Sequence, residues 1–304
     1  MRISTAWSYQ STVSTMLNQQ GNLNESQLKL SSGKKYLTPS ENPMAASSLI
    51  DFNQNIQETQ QYQTNISAAQ AKLNLEASSL GSATGVLQSI RDLAVQGLND
   101  INTAQNRTQI AGEIDQLNQQ LQTIANTQDA NGEYIFSGSI SNKQAYTLTA
   151  GAYTYNGDGN QRNVIIGPNR QVAEGDPGSN VFGAITAVPP ALTAGNIPNI
   201  LQAVAQLSSD LKANTPSAAS LTDIDNALKS MDTIQASVGA RLQAVTSQQN
   251  INDQTILDNK ATSSAIGDLD YASAISQFDL QQTALQASQQ AFTKVQGLSL
   301  FQYI

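Results

Sequence analysis

The chain has 304 residues, a formal net charge of −8, and neither cysteine nor histidine. Charged residues make up only 12% of the composition, about half the share of an average soluble protein. This composition excludes disulfides, thiolate chemistry and histidine-based acid–base catalysis, and the negative charge argues against nucleic-acid binding. We expect no cofactor and no metal site.

The first predicted element is an amphipathic helix over residues 5–32, which Gly33 ends. Its apolar residues recur at every seventh position, as in one half of a coiled-coil seam. The apolar column consists of Tyr9, Met16, Leu23 and Leu30, with Val13 beside it. Gln20 and Gln27 occupy the expected partner positions, so this helix needs another helix to bury its apolar face.

A longer helix is predicted to begin at Pro43 and to continue for about fifty residues, roughly 75 Å at 1.5 Å per residue. Its apolar column recurs every seven residues from Phe52 to Ile101. We expect the alternate positions, four residues further on, to complete the seam at Leu49, Ile56, Ala77 and Leu98, with interruptions at Gln63, Gln70 and Arg91. A second helix over 104–128 follows a short connection and should therefore pack antiparallel against the first.

Residues 133–195 are predicted to form a small β-rich domain. Strand candidates at 134–136, 146–148, 153–155 and 163–166 are separated by glycine-rich turns. The Asn-Gly-Asp-Gly-Asn segment at 156–160 is typical of a hairpin turn. A calcium loop is the alternative for this segment, but the later acidic ligands of such a loop are missing, and we favour the turn.

Helices are predicted again over 196–213 and after Pro216, where a seven-residue register includes Met231, Val238 and Val245. The segment 263–270 should separate this helix from a last one over 270–300. The last helix carries a second half-seam, made of Tyr271, Ile275, Phe278, Leu285 and Phe292. Its expected partner positions are all glutamine, at Gln282, Gln289 and Gln296.

The two half-seams lie at opposite ends of the chain, with helices on both sides of the β-rich region. We therefore predict a mainly α fold, a long antiparallel helical rod with a terminal coiled coil and an inserted small β-rich domain. The expected bounds are 1–42 and 265–304 for the terminal coiled-coil assembly domain, 43–132 and 196–264 for the rod, and 133–195 for the insertion.

Apolar residues of both chain ends form the predicted assembly interface. It comprises Tyr9, Val13, Met16, Leu23, Leu30, Tyr271, Ile275, Phe278, Leu285, Phe292, Phe301 and Tyr303. The alternative is a helix pair packed in the hydrophobic core of a single monomer. Such a core would usually be more apolar than these glutamine-rich seams. A membrane-surface helix is disfavoured because basic residues are scarce there. We expect no signal peptide and no membrane span.

Three segments resemble bacterial flagellins. They are Leu-Ser-Ser-Gly at 30–33, Gly-Ala-Arg-Leu at 239–242 and Asp-Leu-Asp-Tyr-Ala at 268–272. The similarity covers about 1–135 and 215–304. Two further segments, Tyr-Ile-Phe-Ser-Gly at 134–138 and Ser-Leu-Phe-Gln-Tyr at 299–303, are similar to the hook–filament junction proteins of that superfamily. Tyr-Asn-Gly-Asp at 155–158 resembles the hairpin of the same junction proteins.

This resemblance implies a structural protein of the bacterial flagellum, secreted through flagellar type III export and located at the hook–filament junction. The implied partners are flagellin, hook-associated protein 1 on the hook side, copies of the chain itself in a ring, and a flagellar export chaperone. Nucleic acid and membrane insertion are not implied. The alternatives are a filament flagellin, or an enzyme on a helical scaffold acting through Asp/Glu pairs. Only loop carboxylates favour the enzyme.

Overall fold

The computed structural model of the protein describes residues 2–149, 151–183 and 199–298. Its elements in chain order are α1 (Arg2–Ser32), α2 (Pro43–Gly97), α3 (Ala104–Ala125), β1 (Tyr146–Thr149), β2 (Ala152–Tyr155), β3 (Asn163–Gly167), β4 (Arg170–Ala173), α4 (Gly178–Val181), α5 (Ile200–Lys212), α6 (Ala218–Gly267) and α7 (Tyr271–Leu298). The predicted mainly α fold class is confirmed. The predicted boundary near 195, together with Phe301 and Tyr303, lies outside the described residues.

The chain divides into two compact units. The terminal unit combines residues 1–58 with 254–304, and the central unit consists of 59–253. Helices α2 and α6 each contribute one end to the terminal unit and the remainder to the central unit. The three-domain division derived from the sequence stays a prediction.

In the terminal unit, α1 and α7 run antiparallel. Tyr9 near the start of α1 lies against Phe292 near the end of α7, with ring centroids 5.1 Å apart. Further along, Ser26 Oγ donates a hydrogen bond of 2.7 Å to Gln281 Oε1. The two half-seams from opposite ends of the chain therefore meet each other within one molecule.

Main-chain hydrogen bonds tie the end of α1 to the break between α6 and α7. The amide of Lys35 donates to the carbonyl of Gly267 at 2.8 Å, and the amide of Leu269 donates to the carbonyl of Gly33 at 2.9 Å. Gly33 has a φ of +68°, and a Cβ there would lie 2.8 Å from the Tyr271 hydroxyl. Only glycine fits this position without strain, and two segments that resemble flagellins become neighbours through it.

In the central unit, α2 and α6 run antiparallel around a continuous apolar seam. Polar pairs border it, including Arg91 Nε with Asp225 Oδ1 at 2.6 Å and Gln70 Nε2 with Gln249 Oε1 at 3.1 Å. The fully buried side chains of the seam are Ile66, Leu73, Leu80 and Leu87 on α2, and Met231, Val238 and Val245 on α6. Such complete burial stabilises a helix pair by roughly 1.5–3 kcal/mol per large side chain.

Between residues 66 and 90 of α2, and in α1 and α7, the second column lies three residues after the apolar column, not four as predicted, whereas Ile56 at the predicted position near the start of α2 is buried. In α2 the buried second-column residues are Ala69, Glu76, Ala83 and Ile90. In α1 and α7 they are the half-buried Gln19, Ser26, Gln281 and Ser288, whereas Gln20, Gln27, Gln282 and Gln289 are exposed. The side chain of Gln296 lies outside the described part. Either spacing satisfies a 3.5-residue repeat, so the position of the packed neighbour decides between them.

In the described residues of the β-rich part, the strands form two separate antiparallel hairpins, β1–β2 and β3–β4. The predicted hairpin turn at 156–160 is wrong, because this segment connects the two hairpins and its flanking strands are not paired. Asp158 instead accepts hydrogen bonds from the amide of Ser139 at 2.7 Å and from Asn160 Nδ2 at 2.9 Å. The turn of the second hairpin contains Asn169, whose φ of +55° asparagine tolerates well.

The predicted strand at 134–136 is also wrong. Tyr134 makes only an isolated bridge with Gln128, and Ile135 donates its amide to the carbonyl of Thr127 at 3.1 Å. Phe136 is buried edge-on against Phe182, with ring centroids 5.2 Å apart. The apolar residues of this segment serve core packing rather than a sheet ladder.

Several helix ends differ from their predicted positions. The predicted separator at 263–270 shortens to 268–270, because α6 continues to Gly267. The register of α2 stops at Gly97, and Ile101 is exposed in the connection to α3. Arg107 Nε donates to the carbonyl of Gly97 at 3.1 Å, which places a cation at the C-terminus of α2 where the helix dipole favours it. Within the described ranges, no helix has the length and hydropathy needed to cross a bilayer.

Candidate assembly surface

The pair formed by α1 and α7 has no fully buried side chain among those described, residues 7, 9–32 and 271–294. Its inward positions reach only intermediate burial. These are Met16, Gln19, Leu23, Ser26 and Leu30 on α1, and Ala274, Phe278, Gln281, Leu285, Ser288 and Phe292 on α7. One helix pair alone therefore leaves much of each seam accessible.

Polar side chains weaken the contact between these two helices further. Gln19 and Gln281 occupy seam positions where a core would carry leucine or isoleucine. The side-chain oxygen of Gln19 is enclosed but accepts no hydrogen bond. A buried acceptor without a donor costs about 1–3 kcal/mol, so α1 and α7 form a marginal pair.

Large apolar side chains of the same two helices point away from the seam. Leu17 and Leu28 on α1 and Leu280 on α7 are exposed, the last with 70% of its surface accessible. Tyr271 and Ile275 are about half exposed, at 51% and 50%. Apolar groups distributed around both helices indicate surfaces that further helices could cover.

The structure brings most of the predicted interface residues to this pair. Met16, Leu23, Leu30, Phe278, Leu285 and Phe292 lie along the seam, and Tyr9 covers its outer end against Phe292. Val13 is half-buried beside Met16, whereas Tyr271 and Ile275 lie at its edge near the break after α6. Whether any of them contacts another molecule stays a prediction.

Ion pairs hold the segment between α1 and α2. Lys29 Nζ lies 2.6 Å from Glu25 Oε1 and 3.0 Å from Glu41 Oε2. Glu41 also accepts the amides of Leu37 and Thr38 at 2.9 and 3.1 Å. The hydrogen bonds to Glu25 and Glu41 raise the pKa of Lys29, and the hydrogen bond from Lys29 lowers the pKa of Glu41.

Asp270 begins α7 as its N-terminal cap. Its Oδ1 accepts the amide of Ala272 at 3.1 Å, and its Oδ2 accepts the hydroxyl of Ser273 at 2.7 Å. The Ser273 hydrogen bonds lower the pKa of Asp270, as expected for a carboxylate at a helix N-terminus. This cap fixes where α7 starts, one residue after the sequence-based estimate.

A groove of about 560 Å³ between α1 and α7 adjoins this cap. Its charged lining is mixed, with Glu25, Lys29, Lys35, Asp268 and Asp270. In the part of the chain that the structure describes, no cluster of three acidic side chains could hold a metal ion. The groove therefore presents hydrogen-bonding groups of both charges beside the start of α7.

Sequence reasoning missed the polar half of this surface. Ser26 and Gln281 bond each other across the pair, and Ser288 completes the inward column of α7. The seven-residue repeat could have identified them, because these residues lie three positions after the apolar residues Leu23, Phe278 and Leu285. Because all three are polar, a pattern of apolar residues does not include them.

Comparisons with known proteins agree with this fold. Two family models, the bacterial flagellin N-terminal helical region and the bacterial flagellin C-terminal helical region, match residues 3–141 and 221–304. The class is therefore that of flagellin-like helical proteins, with the two matched regions at opposite ends of the chain.

A longer similarity identifies the family within that class. The chain is 30% identical over 316 residues to flagellar hook-associated protein 3 of Escherichia coli K12, with 99% of each chain covered. The chain belongs to the family of flagellar hook-associated protein 3. The alignment spans 142–220, which the two flagellin models leave unmatched.

Two solved structures share the fold. A crystal structure of flagellar hook-associated protein 3 from Legionella pneumophila superposes with a TM-score of 0.62 at 23% identity, covering 69% of this chain and 96% of that one. A structure of the flagellar junction protein FlgL from Legionella pneumophila gives a TM-score of 0.53 at 23% identity, covering 64% and 98%. At these identities the likeness concerns the fold alone.

Proposed function

We propose that this protein is a structural junction subunit of the bacterial flagellum, and that α1 and α7 form its assembly surface. The observation that carries the proposal is the half-buried seam of this helix pair. Family membership supplies the setting, since relatives over the full length are named hook-associated proteins. The role is structural, with no reaction assigned to it.

The two helix pairs differ in how completely their seams are buried. Ordering the backbone costs roughly 1–2 kcal/mol per residue, which apolar burial must offset. The α2–α6 seam offsets this cost with fully buried Leu73, Leu80 and Leu87. The α1–α7 seam has only intermediate burial and includes glutamine and serine. Neighbouring subunits would complete it by covering the exposed apolar groups.

The proposed assembly domain comprises 1–42 and 265–304, next to a helical rod domain of 43–132 and 196–264 and an outer β-rich domain of 133–195. The proposed partners are flagellin on one side, hook-associated protein 1 on the hook side, and copies of this chain in a ring. A flagellar export chaperone would cover the same apolar helix faces before secretion to the hook–filament junction outside the cell.

A filament flagellin is the alternative, and the observations favour the junction protein over it. The flagellin models match only the two terminal regions, whereas the hook-associated relative aligns through the central β-rich part as well. A flagellin should polymerise into long filaments by itself. A junction subunit should form a limited structure between two different partners.

Deleting the gene for this chain in its own host tests the proposal. We expect cells without flagellar filaments, with flagellin accumulating in the medium and hooks remaining on the cell. Complementation with the intact chain should restore filaments, and immunogold labelling should place the chain at the end of the hook.

A polymerisation assay separates the two alternatives. Purified chain seeded with short filament fragments should not elongate them, whereas flagellin from the same host serves as the positive control. Long filaments built of this chain alone, or gold labels spread along the whole filament, would show that it is a flagellin.

A further inference from the structure

A carboxyl group lies inside the apolar seam of the central unit. Glu76 occupies the second column of α2, one turn from the fully buried Leu73 and Leu80, and only 2% of its surface is accessible. The neighbouring members of that column are Ala69 and Ala83. A charge at such a position is costly to bury unless donors surround it.

The donors around Glu76 are too few for a carboxylate. Its Oε1 accepts the amide of Asp176 at 2.9 Å, and its Oε2 is enclosed without any hydrogen-bond partner. A carboxylate needs donors at both oxygens, whereas a protonated carboxyl needs only one donor and one acceptor. Oε2 lacks a partner in either protonation state, and because an unpaired buried charge costs far more than an unpaired buried hydroxyl, this environment favours the neutral acid.

The cation whose charge acts on Glu76, Arg241, is already paired with a different carboxylate. Arg241 on α6 makes an ion pair with Asp176 Oδ2 through Nη2, and its Nη1 is buried without an acceptor. Gln161 Nε2 donates to Asp176 Oδ1 at 2.6 Å. Asp176 thus holds the available charge and donors, and it presents its own negative charge to Glu76.

The remaining charged groups at this place pair with one another. Lys72 lies 2.9 Å from Glu174 and 3.8 Å from Glu133, and Arg162 lies 3.2 Å from Glu133 and 3.9 Å from Glu174. The charged groups around Glu76 are Lys72, Arg162, Glu174, Asp176 and Arg241. Glu133 joins this cluster through its ion pairs with Lys72 and Arg162. Three cations and three other carboxylates balance, which leaves Glu76 without a counter-charge.

We propose that Glu76 is a proton-binding site in the folded protein, and that its proton acts as a latch. With the proton bound, residues 174–177 lie on the α2–α6 seam through the contacts of Asp176 with Glu76 and Arg241. Loss of the proton places two carboxylates side by side with one arginine between them, and repulsion weakens this attachment. Burial and the negative charge of Asp176 raise the pKa of Glu76 to about 8, in agreement with the geometry.

The direction of the pH effect follows from linkage. The ordinary pKa of a glutamate carboxyl is 4.5, so the folded protein binds a proton that the unfolded chain has released between pH 4.5 and about 8. The contribution of Glu76 to the free energy of unfolding is therefore complete below pH 4.5. It decreases as the pH rises above 4.5 and is lost once the pH has passed about 8. The folding equilibrium constant should fall by up to roughly three orders of magnitude across this window.

The first test follows the carboxyl itself in the intact wild-type chain. Carbon-13 NMR of glutamate-labelled protein should show the Glu76 carboxyl titrating near pH 8. A midpoint near 4.5 would overturn the proposal, and this measurement does not depend on whether any variant folds.

The second test uses Glu76→Gln, which keeps the side-chain shape and the acceptor for the Asp176 amide but cannot ionise. The urea midpoint of wild type should fall between pH 6 and 9, and that of Glu76→Gln should fall much less. Asp225→Asn is the matched control, because it also removes a carboxylate between α2 and α6 and should keep the wild-type fall. Equal pH dependence of wild type and Glu76→Gln would overturn the proposal.

The latch has its own readout in amide hydrogen exchange. The protection factor of the Asp176 amide, corrected for the intrinsic effect of pH, should drop in wild type between pH 6 and 9. It should stay constant in Glu76→Gln, and the Leu80 amide should stay protected in both. An unchanged Asp176 protection factor in wild type would refute the latch even if Glu76 titrates near 8.

Discussion

Replacing Phe292 with alanine should impair assembly while leaving the central unit as stable as before. Phe292 is half-buried, and its ring lies 5.1 Å from the ring of Tyr9, which is itself 51% exposed. Truncating a fully buried phenylalanine costs about 3–5 kcal/mol. A half-buried one in the free chain should cost about half of that, and only in the α1–α7 pair.

The effect in an assembly should be larger, because neighbouring subunits would bury the rest of the ring. About half of the full cost of 3–5 kcal/mol is already lost in the free chain, so the assembly itself should lose about 1.5–2.5 kcal/mol, a binding constant weaker by roughly one to two orders of magnitude. The central unit does not contain this contact, so its thermal midpoint should not move.

The assay expresses Phe292→Ala in cells lacking the natural chain and records motility, flagellin in the medium and the melting of the purified protein. Gln289→Ala is the matched control, because Gln289 is exposed and lies beside the inward Ser288 rather than on the seam. Control cells should swim. Normal filaments with Phe292→Ala, or loss of the main melting transition, would refute the assignment of the assembly surface.

Two predictions concern the central unit. Leu80 is fully buried, so Leu80→Ala should lower the free energy of unfolding in urea titrations by about 2–5 kcal/mol. Leu280→Ala, at an exposed position, should change it little. Similar values for the two variants would contradict the burial of Leu80 between α2 and α6. Hydrogen bonds from Ser139 and Asn160 lower the pKa of Asp158 to about 2, so the linker at 156–162 should keep its conformation above pH 4 and lose it between pH 4 and 2. Carbon-13 titration of the Asp158 carboxyl measures this, and a midpoint near 3.8 would show that those hydrogen bonds are absent in solution.

The sequence by itself determined the helices and their apolar columns. A seven-residue recurrence of large side chains permits only a helical period, so Leu73, Leu80 and Leu87 were identified as core without any structure. Local chemistry also located the ends of helices, as Gly33 and Pro43 show. Strands β1, β2 and β3 were placed correctly because their aromatic and β-branched residues stand between turn signals.

The second seam column required tertiary structure. A 3.5-residue repeat allows the second column either three or four residues after the apolar column. Ala69 and Ala83 are small, so their hydrophobicity alone does not mark them as core residues. Only the position of the packed helices selects the side. For the same reason the sequence favoured exposed glutamines such as Gln282 over the inward Gln281.

Strand pairing and the Glu76 site also depended on contacts between distant residues. The segment at 156–160 has the composition of a hairpin turn, but the side chain of Asp158 bonds Ser139 and shapes the segment as a linker. Glu76, Asp176 and Arg241 are far apart along the chain and each is unremarkable alone. Their charges influence one another because folding brings the three side chains together away from water. The local sequence around each residue does not show which residues will share that environment.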